Sequence, residues 1–333
     1  MRTKVLLIGP QCFNYNQSIA SAFDADRFEV KIIDYAEQFG QIRLRNKIAY
    51  FISADRIRTT ATLLAKLNKY ILTTYNQFHP DIVLIIKGDT ILEETVLKMK
   101  RSKNILWMLD GMFYNPQSIK LVDKMDAIFL FEKSDEESVR KINKNTYYLP
   151  SAYDDQIFRK LHLEKDIDIL FIGTLHDSRI KLLEKIHEEF PNLVMKVFCE
   201  RYRFYKTPFK YLKSLRDKIF INRFVTPVEA NILYNRSKVC LNMHHEQSVY
   251  GINPRFFEIL GANAVQFVDQ KPFIEEYFSG FPIRTYQSEA SLFEMIRQQF
   301  GQDGLTIADS GLFDRVSQNH TYRNRVEYIM DKI

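Results

Sequence analysis

The chain has 333 residues, 46% of them hydrophobic and 26% charged, so it can bury one large core or, as we expect, two domains. The longest early apolar run, residues 5–9, has the length of a strand and excludes a membrane span or a signal-peptide core there. The net charge of +6 fits nucleic acid, an anionic membrane surface or phosphorylated ligands equally well, and therefore excludes little.

In the first half, short apolar runs alternate with longer segments of helical period. Strands are predicted at 4–9, 28–34, 81–88, 104–111, 126–133 and 146–152, and helices at 17–23, 42–78, 91–100, 118–125 and 135–143. Alternating strands and helices predict a parallel sheet with helices on both faces.

The same pattern begins again in the second half. Strands are predicted at 166–173, 193–200, 218–225, 238–244, 264–269 and 281–286, and helices at 179–190, 227–236, 254–260, 272–278 and 289–300. The predicted fold class is α/β, with two Rossmann-like doubly wound parallel-sheet domains facing across a cleft. The polar stretch 154–166 is the natural linker. We expect an N-terminal domain at 1–155, a linker at 156–165, a C-terminal domain at 166–315, and a helix at 316–333 that packs back on the first domain.

Three cysteines, Cys12, Cys199 and Cys240, lie among apolar neighbours without the spacing of a metal site. This pattern is typical of reduced, buried thiols in a cytoplasmic protein. The adjacent residues His244 and His245 would point to opposite sides of a strand, so no metal site is expected.

Ligands of doubly wound sheets bind beyond the carboxyl ends of the strands, where loops 9–16, 87–90, 109–116 and 173–179 are predicted. None contains G-x-G-x-x-G or a P-loop, which argues against the usual dehydrogenases and ATPases. Asp89 and Asp110 follow strands, where a carboxylate can accept a proton or bind a sugar hydroxyl, or simply cap the next helix.

Two further patterns could bind a phosphorylated ligand. Gly173 ends a strand and Arg179 opens a helix, an arrangement that suits a diphosphate, although both could be an ordinary turn and a surface charge. The stretch GINPRFFEIL predicts a helix with Asn253 as N-cap, Pro254 as first residue and an end at Gly261. Its Arg255 and Glu258 share a face, where they either pair with each other or bind phosphate and ribose.

Residues 41–60 interleave basic and apolar side chains. The basic ones are Arg43, Arg45, Lys47, Arg56 and Arg58. The pattern fits an amphipathic segment on an anionic membrane, or a solvated helix whose other face packs on its own domain.

The runs DIDILFIGTLHDSR, PVEANILYNRSKVCLNMHHE, INPRFFEILGANAVQFVD and NHTYRNRVEYIM resemble the glycosyltransferases related to the spore maturation protein CgeB, of the GT-B fold. The N-terminal phrases PDIVLIIKGDTI, WMLDGMFYNP and YYLPSAYDDQIF are also similar to that family, so the resemblance spans nearly the whole chain.

The resemblance implies transfer of a sugar from a nucleotide-diphosphate-sugar, for which we expect a UDP-sugar, without another cofactor or a metal. It implies retention of anomeric configuration and a role in surface polysaccharide or glycoconjugate synthesis. The donor would be bound by Gly173, Arg179, Asn253, Arg255 and Glu258. The saccharide, lipid-linked or protein acceptor would meet Gly9, Asn14, Asp89 and Asp110. Asp110, Arg179 and Arg255 are the candidate catalytic residues.

One departure from the family pattern limits this transfer of roles. Many relatives have a second glutamate eight positions before the one matched by Glu258, and here that position is Tyr250. Two alternatives stay open: a nucleotide-sugar epimerase, and a non-catalytic module that binds nucleotide or membrane. No nucleic acid partner is expected, since no single-strand-binding motif accompanies the aromatic residues. We expect a cytoplasmic protein, peripheral at the inner membrane face through residues 41–60.

Overall fold

The computed structural model describes residues 1–10, 14–35, 56–199, 219–245, 248–301 and 311–333. The chain divides into two compact units. The first comprises Met1–Ser151, Gln247–Gly251 and Tyr322–Ile333, and the second comprises Ala152–Glu246 and Ile252–Thr321.

The first unit contains a six-stranded parallel sheet. Its strands are β1 (Thr3–Gly9), β2 (Phe28–Asp34), β3 (Ile82–Ile86), β4 (Lys103–Trp107), β5 (Ala127–Leu130) and β6 (Thr146–Tyr148), in the order β2-β1-β3-β4-β5-β6. Strand β3 is buried along its whole length, as expected for an apolar strand covered on both faces. The helices are α1 (Tyr15–Ser21), α2 (Arg56–Phe78), α3 (Glu93–Lys98), α4 (Pro116–Ile119), α5 (Glu136–Arg140) and, from the end of the chain, α12 (Tyr322–Lys332).

The second unit has its own six-stranded parallel sheet. The strands are β7 (Ile167–Ile172), β8 (Met195–Cys199), β9 (Phe220–Asn222), β10 (Ser237–Asn242), β11 (Gln266–Asp269) and β12 (Arg284–Tyr286), in the order β12-β11-β10-β7-β8-β9. The helices are α6 (Asp177–Glu189), α7 (Pro227–Arg236), α8 (Pro254–Gly261), α9 (Pro272–Tyr277), α10 (Glu289–Phe300) and α11 (Leu312–Asn319). This strand order reverses between β7 and β10, and such a reversal is where doubly wound sheets bind ligands.

The predicted fold class is confirmed, since each of the twelve predicted strands overlaps an observed one. The predicted helix 118–125 is wrong. Its place is taken by α4 and a 3-10 turn at Val122–Lys124. Backbone groups there bond to side chains instead of a helical ladder: Asn143 Nδ2 donates to the carbonyl oxygens of Val122 (2.9 Å) and Met125 (2.7 Å).

Helix α12 packs in the first unit through aromatic contacts. The Tyr322 ring lies 6.3 Å from the Trp107 ring, centroid to centroid, and the Tyr328 ring lies 6.2 Å from the Phe129 ring. Buried Arg325 donates to the carbonyl oxygens of Pro150 (2.8 Å) and Ser151 (2.9 Å). The first unit is thus assembled from both ends of the described chain.

The stretch after Ser151 lies in the second unit and packs on α7. Asn231 Oδ1 accepts from the backbone N–H of Arg159 (3.1 Å), and Asn235 Oδ1 accepts from that of Leu161 (2.7 Å). These hydrogen bonds fix residues 159–161 to the helix.

Cys199 and Cys240 are buried free thiols, and burial raises their pKa to about 11 and about 12. Cys12 lies outside the described residues. Within the described part of the chain, no helix is both long and apolar enough to cross a bilayer.

Candidate functional site

A cavity of about 450 Å³ opens at the carboxyl edge of the second sheet, where the strand order reverses. It is lined by residues that follow or end four strands and begin α6: His176, Ser178, Arg179, Leu182, Met243, His244, His245, Asp269 and Tyr286. Its volume lies in the range of small-ligand sites.

Arg179 is fixed in this cavity by two carbonyl groups. Its Nη1 donates to Thr174 O (2.7 Å), and its Nη2 donates to Met243 O (2.8 Å), so the guanidinium joins the loops after β7 and β10. Burial lowers the Arg179 pKa, and the nearby charge of Arg255 lowers it further. The half-buried guanidinium would therefore be stabilised by an anion.

The second arginine of the predicted site, Arg255, lies close to the turn at Gly173. A Cβ atom at Gly173 would lie 3.5 Å from Arg255 Nη1 and 3.0 Å from the Phe171 ring, so the backbone and the guanidinium approach closely. The structure therefore places Gly173, Arg179 and Arg255 together, although they are far apart in the sequence.

Glu258 follows Arg255 by one helical turn on α8. The buried Tyr234 hydroxyl donates to Glu258 Oε2 at 3.4 Å. Burial raises the Glu258 pKa, while the Arg255 charge and the Tyr234 hydrogen bond lower it in part. The Glu258 carboxyl is thus held near the Arg255 guanidinium and the Tyr234 hydroxyl.

Asn253 is the N-cap of α8, as predicted: its Oδ1 accepts from Phe256 N (3.0 Å). Its Nδ2 donates to Asn242 Oδ1 (2.9 Å), and Asn242 Nδ2 donates to Gln266 Oε1 (3.2 Å). Gln266 Nε2 in turn donates to Phe256 O (3.1 Å). This chain of amides fixes the start of α8, and with it Arg255, to β10 and β11.

The end of α8 differs from its prediction. The helix includes Gly261, and Asn263 (φ 53°) adopts the left-handed conformation beyond it. A Cβ atom at Gly261 would lie 2.6 Å from Tyr153 Cδ2. Gly261 therefore serves a close approach between helix and ring, and not a left-handed helix end.

His244 and Asp269 form a pair that the sequence pattern does not predict. Asp269 Oδ1 accepts from the His244 backbone N–H and contacts His244 Nδ1, both at 2.8 Å. Burial raises the Asp269 pKa, but the hydrogen bonds from His244 and the nearby positive charges, including Lys271, together outweigh it, so the net pKa is lowered. Asp269 ends a predicted strand just as Asp89 and Asp110 nearly do, so the same pattern could have found it. Among the described residues, no group of three or more His, Cys, Asp or Glu is placed to hold a metal.

In the first unit, Asp110 forms an ion pair with Lys87, with 2.6 Å between Asp110 Oδ2 and Lys87 Nζ. Lys87 has a left-handed backbone (φ 65°), which is uncommon for a residue other than glycine. In this loop, the sequence predicts only Asp89 as an acceptor-binding residue. Asp89 accepts from the Tyr35 hydroxyl at 2.6 Å.

Gly9 and Asn14, the other predicted acceptor residues, lie at the same sheet edge. The Asn16 amide fills the space that a Cβ at Gly9 would need. Asn14 precedes α1 with φ 65°, and its side chain makes no cap hydrogen bond. Polar side chains therefore follow β1, β3 and β4 at the carboxyl edge of the first sheet. Residues 41–55 of the predicted membrane segment lie outside the described residues, and 56–60 begin α2.

Residues 179–331 match the family described as glycosyl transferase-like. The matched segment includes Arg179, Arg255 and Glu258, and therefore most of the candidate donor site. No curated protein matches the chain.

Solved structures match the whole chain in fold. They include a sucrose-phosphate synthase from Thermosynechococcus elongatus (10% identity, 99% of both chains, TM-score 0.65). An α,α-trehalose-phosphate synthase (UDP-forming) from Burkholderia xenovorans, in complex with glucose-6-phosphate, is also similar (10%, 99% of both chains, 0.63). A putative UDP-N-acetylglucosamine 2-epimerase from Listeria monocytogenes matches as well (11%, 99% of this chain and 96% of that one, 0.56). The fold of this chain is GT-B.

Proposed function

We propose that the protein is a glycosyltransferase of the CgeB-like type, which transfers a sugar from a nucleotide-diphosphate-sugar, a UDP-sugar, to a glycan or lipid-linked acceptor. The observation that carries the proposal is the approach of Arg179 and Arg255 to the turn at Gly173. Two guanidinium groups at a strand-order reversal suit a diphosphate, and both arginines lie in the segment that matches the glycosyl transferase-like family.

In this proposal the second unit stabilises the leaving diphosphate. Negative charge develops on the phosphate oxygens as the bond to the sugar breaks, and preorganised guanidinium groups lower the barrier. Glu258 accepts hydrogen bonds from the ribose hydroxyls, and Asn253 acts through its cap on the helix that carries Arg255. The UDP-forming synthase of the same fold supports UDP as the nucleotide of the donor.

The acceptor binds the first unit, with Asp110 against the reacting hydroxyl. Lys87 keeps the carboxylate in place through the ion pair. We also propose that the reaction retains the anomeric configuration of the sugar and needs no metal ion. In a retaining reaction the donor phosphate can take the acceptor proton, and Asp110 then only orients the hydroxyl.

The test is a thermal-shift screen with UDP, GDP, CMP, dTDP and their sugars on the wild type, Arg255→Ala and Glu258→Gln. A ligand that binds only the native state raises Tm. At a free ligand concentration of 100 times Kd, it adds about 2.7 kcal/mol to the free energy of unfolding. We expect one nucleotide to raise Tm. Loss of a charged hydrogen bond should weaken its affinity about 10- to 100-fold in each variant.

Arg223→Ala is the matched control, because Arg223 is an arginine of the same unit that pairs with Glu229 on the surface. It should respond to the nucleotide like the wild type. The proposal is wrong if no nucleotide shifts a cooperative melting transition, and a role as a non-catalytic module would then be favoured.

A nucleotide-sugar epimerase is the second candidate, since a putative 2-epimerase shares the fold. The two enzymes differ in their need for an acceptor. An epimerase would convert the UDP-sugar to its epimer without a second substrate, which NMR of the sugar product detects.

We place the reaction in glycoconjugate or surface polysaccharide synthesis, with the protein at the inner membrane face through residues 41–60. The interleaved arginines and apolar residues of that segment motivate the placement. Flotation with anionic vesicles at low salt tests it, and the absence of association would exclude it.

A further inference from the structure

The turn after β4 holds two aromatic side chains out in solvent. Its middle is anchored: Met112 is buried, and its backbone N–H donates to Asp135 Oδ2 at 2.7 Å. Asn115 Nδ2 closes the turn by donating to Gly111 O at 3.1 Å. With the backbone fixed at both points, the neighbouring Phe113 and Tyr114 remain 52% and 62% exposed.

The Tyr114 ring lies next to Gly111, the neighbour of the ion-paired Asp110, and Phe113 precedes Tyr114 in the same turn. The Tyr114 ring packs on the residue next to Asp110, because a Cβ atom at Gly111 would lie 3.1 Å from Tyr114 Cδ2. Asp110 is itself partly exposed, at 37% of its side chain. The turn therefore presents an apolar surface together with Asp110, which pairs with Lys87 from the loop after β3.

This combination suits a ligand that is apolar on one side and rich in hydroxyls on its rim. A pyranose ring has that character, since its axial C–H bonds form an apolar face and its hydroxyls point outward. Aromatic rings can cover the C–H face, while a carboxylate accepts from the hydroxyls and an ammonium donates to them. Contiguous exposed apolar patches can mark interaction sites, and two consecutive exposed aromatic residues form a larger patch than a single exposed ring.

We propose that Phe113 and Tyr114 form a platform for a sugar ring of the acceptor, so that the acceptor bound at this site is a glycan. The inference rests on the proposed function, and it assigns the acceptor class that the function leaves open. The Lys87 ammonium balances the Asp110 charge, and the Asp89 carboxylate adds a negative charge at this edge, so the edge does not attract an anionic lipid surface and favours a neutral sugar.

The test is saturation-transfer NMR with methyl pyranosides of glucose, galactose, mannose and N-acetylglucosamine. The proteins are the wild type, Phe113→Ser/Tyr114→Ser and the conservative Phe113→Tyr/Tyr114→Phe. We expect saturation of the ring C–H protons on one face of at least one glycoside. The affinity should fall roughly tenfold or more in the serine variant and remain in the conservative one. Tyr70→Ser, at an exposed tyrosine of α2, is the control and should bind like the wild type.

The platform is overturned if no glycoside is saturated by the wild type, or if the serine variant binds it unchanged. It is also overturned if the serine variant loses only flotation with phosphatidylcholine–phosphatidylglycerol vesicles, which would identify a lipid contact. UDP binding is measured on the same samples. If UDP still raises Tm, these results overturn the platform alone, and if it does not, the proposed function fails separately.

Discussion

Burial gives Glu258 a pKa above the ordinary value of 4.5, which Arg255 and Tyr234 offset only in part. The native state therefore keeps its proton to a higher pH than the unfolded chain does. Where the native state binds more protons, the free energy of unfolding falls as pH rises. The Glu258 carboxyl thus lowers stability progressively as the pH rises from about 4.5 through its native pKa.

We predict that Glu258→Gln raises Tm relative to the wild type, and that the difference is larger at pH 8 than at pH 5. The neutral amide removes the cost of an ionised buried carboxylate. Thermal melts of both proteins across that range measure the effect. Glu294→Gln, at an exposed site of α10, should show no such trend. A Tm difference independent of pH would contradict the prediction.

Asp110 offers a second test at this scale, because its role as base or as contact residue predicts different losses. As a general base it should contribute roughly 100- to 10,000-fold to turnover, so Asp110→Asn would reduce kcat by that factor. As a hydrogen-bonding contact it would cost about tenfold, mainly in the acceptor KM. Steady-state kinetics with donor and acceptor varied separately distinguish the two roles, and unchanged kinetics would exclude both.

Helix α8, which carries Arg255 and Glu258, is fixed in place by contacts at both of its ends. At the start, the amide chain from Asn253 to Gln266 fixes the first turn. At the end, Gly261 lies against the buried Tyr153, whose backbone bridges to Thr321. The Tyr153 ring therefore has little freedom to move away from the helix.

We predict that Gly261→Ala destabilises the second unit by about 1–3 kcal/mol, because the added methyl group overpacks the Tyr153 ring. For a domain of this size each kcal/mol corresponds to about 2–4 °C in Tm. In a Tyr153→Ala background the same substitution should cost nothing, since the ring is gone. Equal effects in both backgrounds would show that the contact is not responsible.

The elements themselves were largely predictable, because strands buried on both faces stand out as continuous apolar runs. The start of α8 was predictable for a similar local reason, the pair Asn253-Pro254. The end of α8 was not predictable, because Gly261 is required by its contact with the Tyr153 ring, more than 100 residues away in the sequence. Long-range packing, which periodicity does not encode, decided that position.

In the candidate site too, local features were predictable from the sequence and long-range contacts were not. Single residues, such as Asp110 after a strand and Arg179 at the start of a helix, could be selected from the sequence, but their partners could not. His244 meets Asp269 because β10 lies beside β11, and strand order is set by the whole sheet. Lys87 meets Asp110 for the corresponding reason in the first sheet.

At the scale of the whole molecule, the first unit draws residues 322–333 from beyond the second. We predict that a fragment of residues 1–151 is less stable than the same fragment mixed with a peptide of residues 319–333. The peptide would cover Trp107 and restore the partners of the Pro150 and Ser151 carbonyl groups. Trp107 fluorescence during urea unfolding measures the gain.

A peptide with Arg325→Met and Tyr322→Ala is the control, and should restore little. Equal stability of the fragment with and without the native peptide would show that α12 adds nothing to the first unit.

The position of α12 also sets an order of events during synthesis. A ribosome makes the first sheet early, at about 5–20 residues per second, but the helix that completes that unit leaves the exit tunnel only after the second unit has been made. The unit begun first is therefore finished last. For roughly ten seconds or more the nascent chain carries an exposed apolar face around Trp107, a natural site for a chaperone to bind.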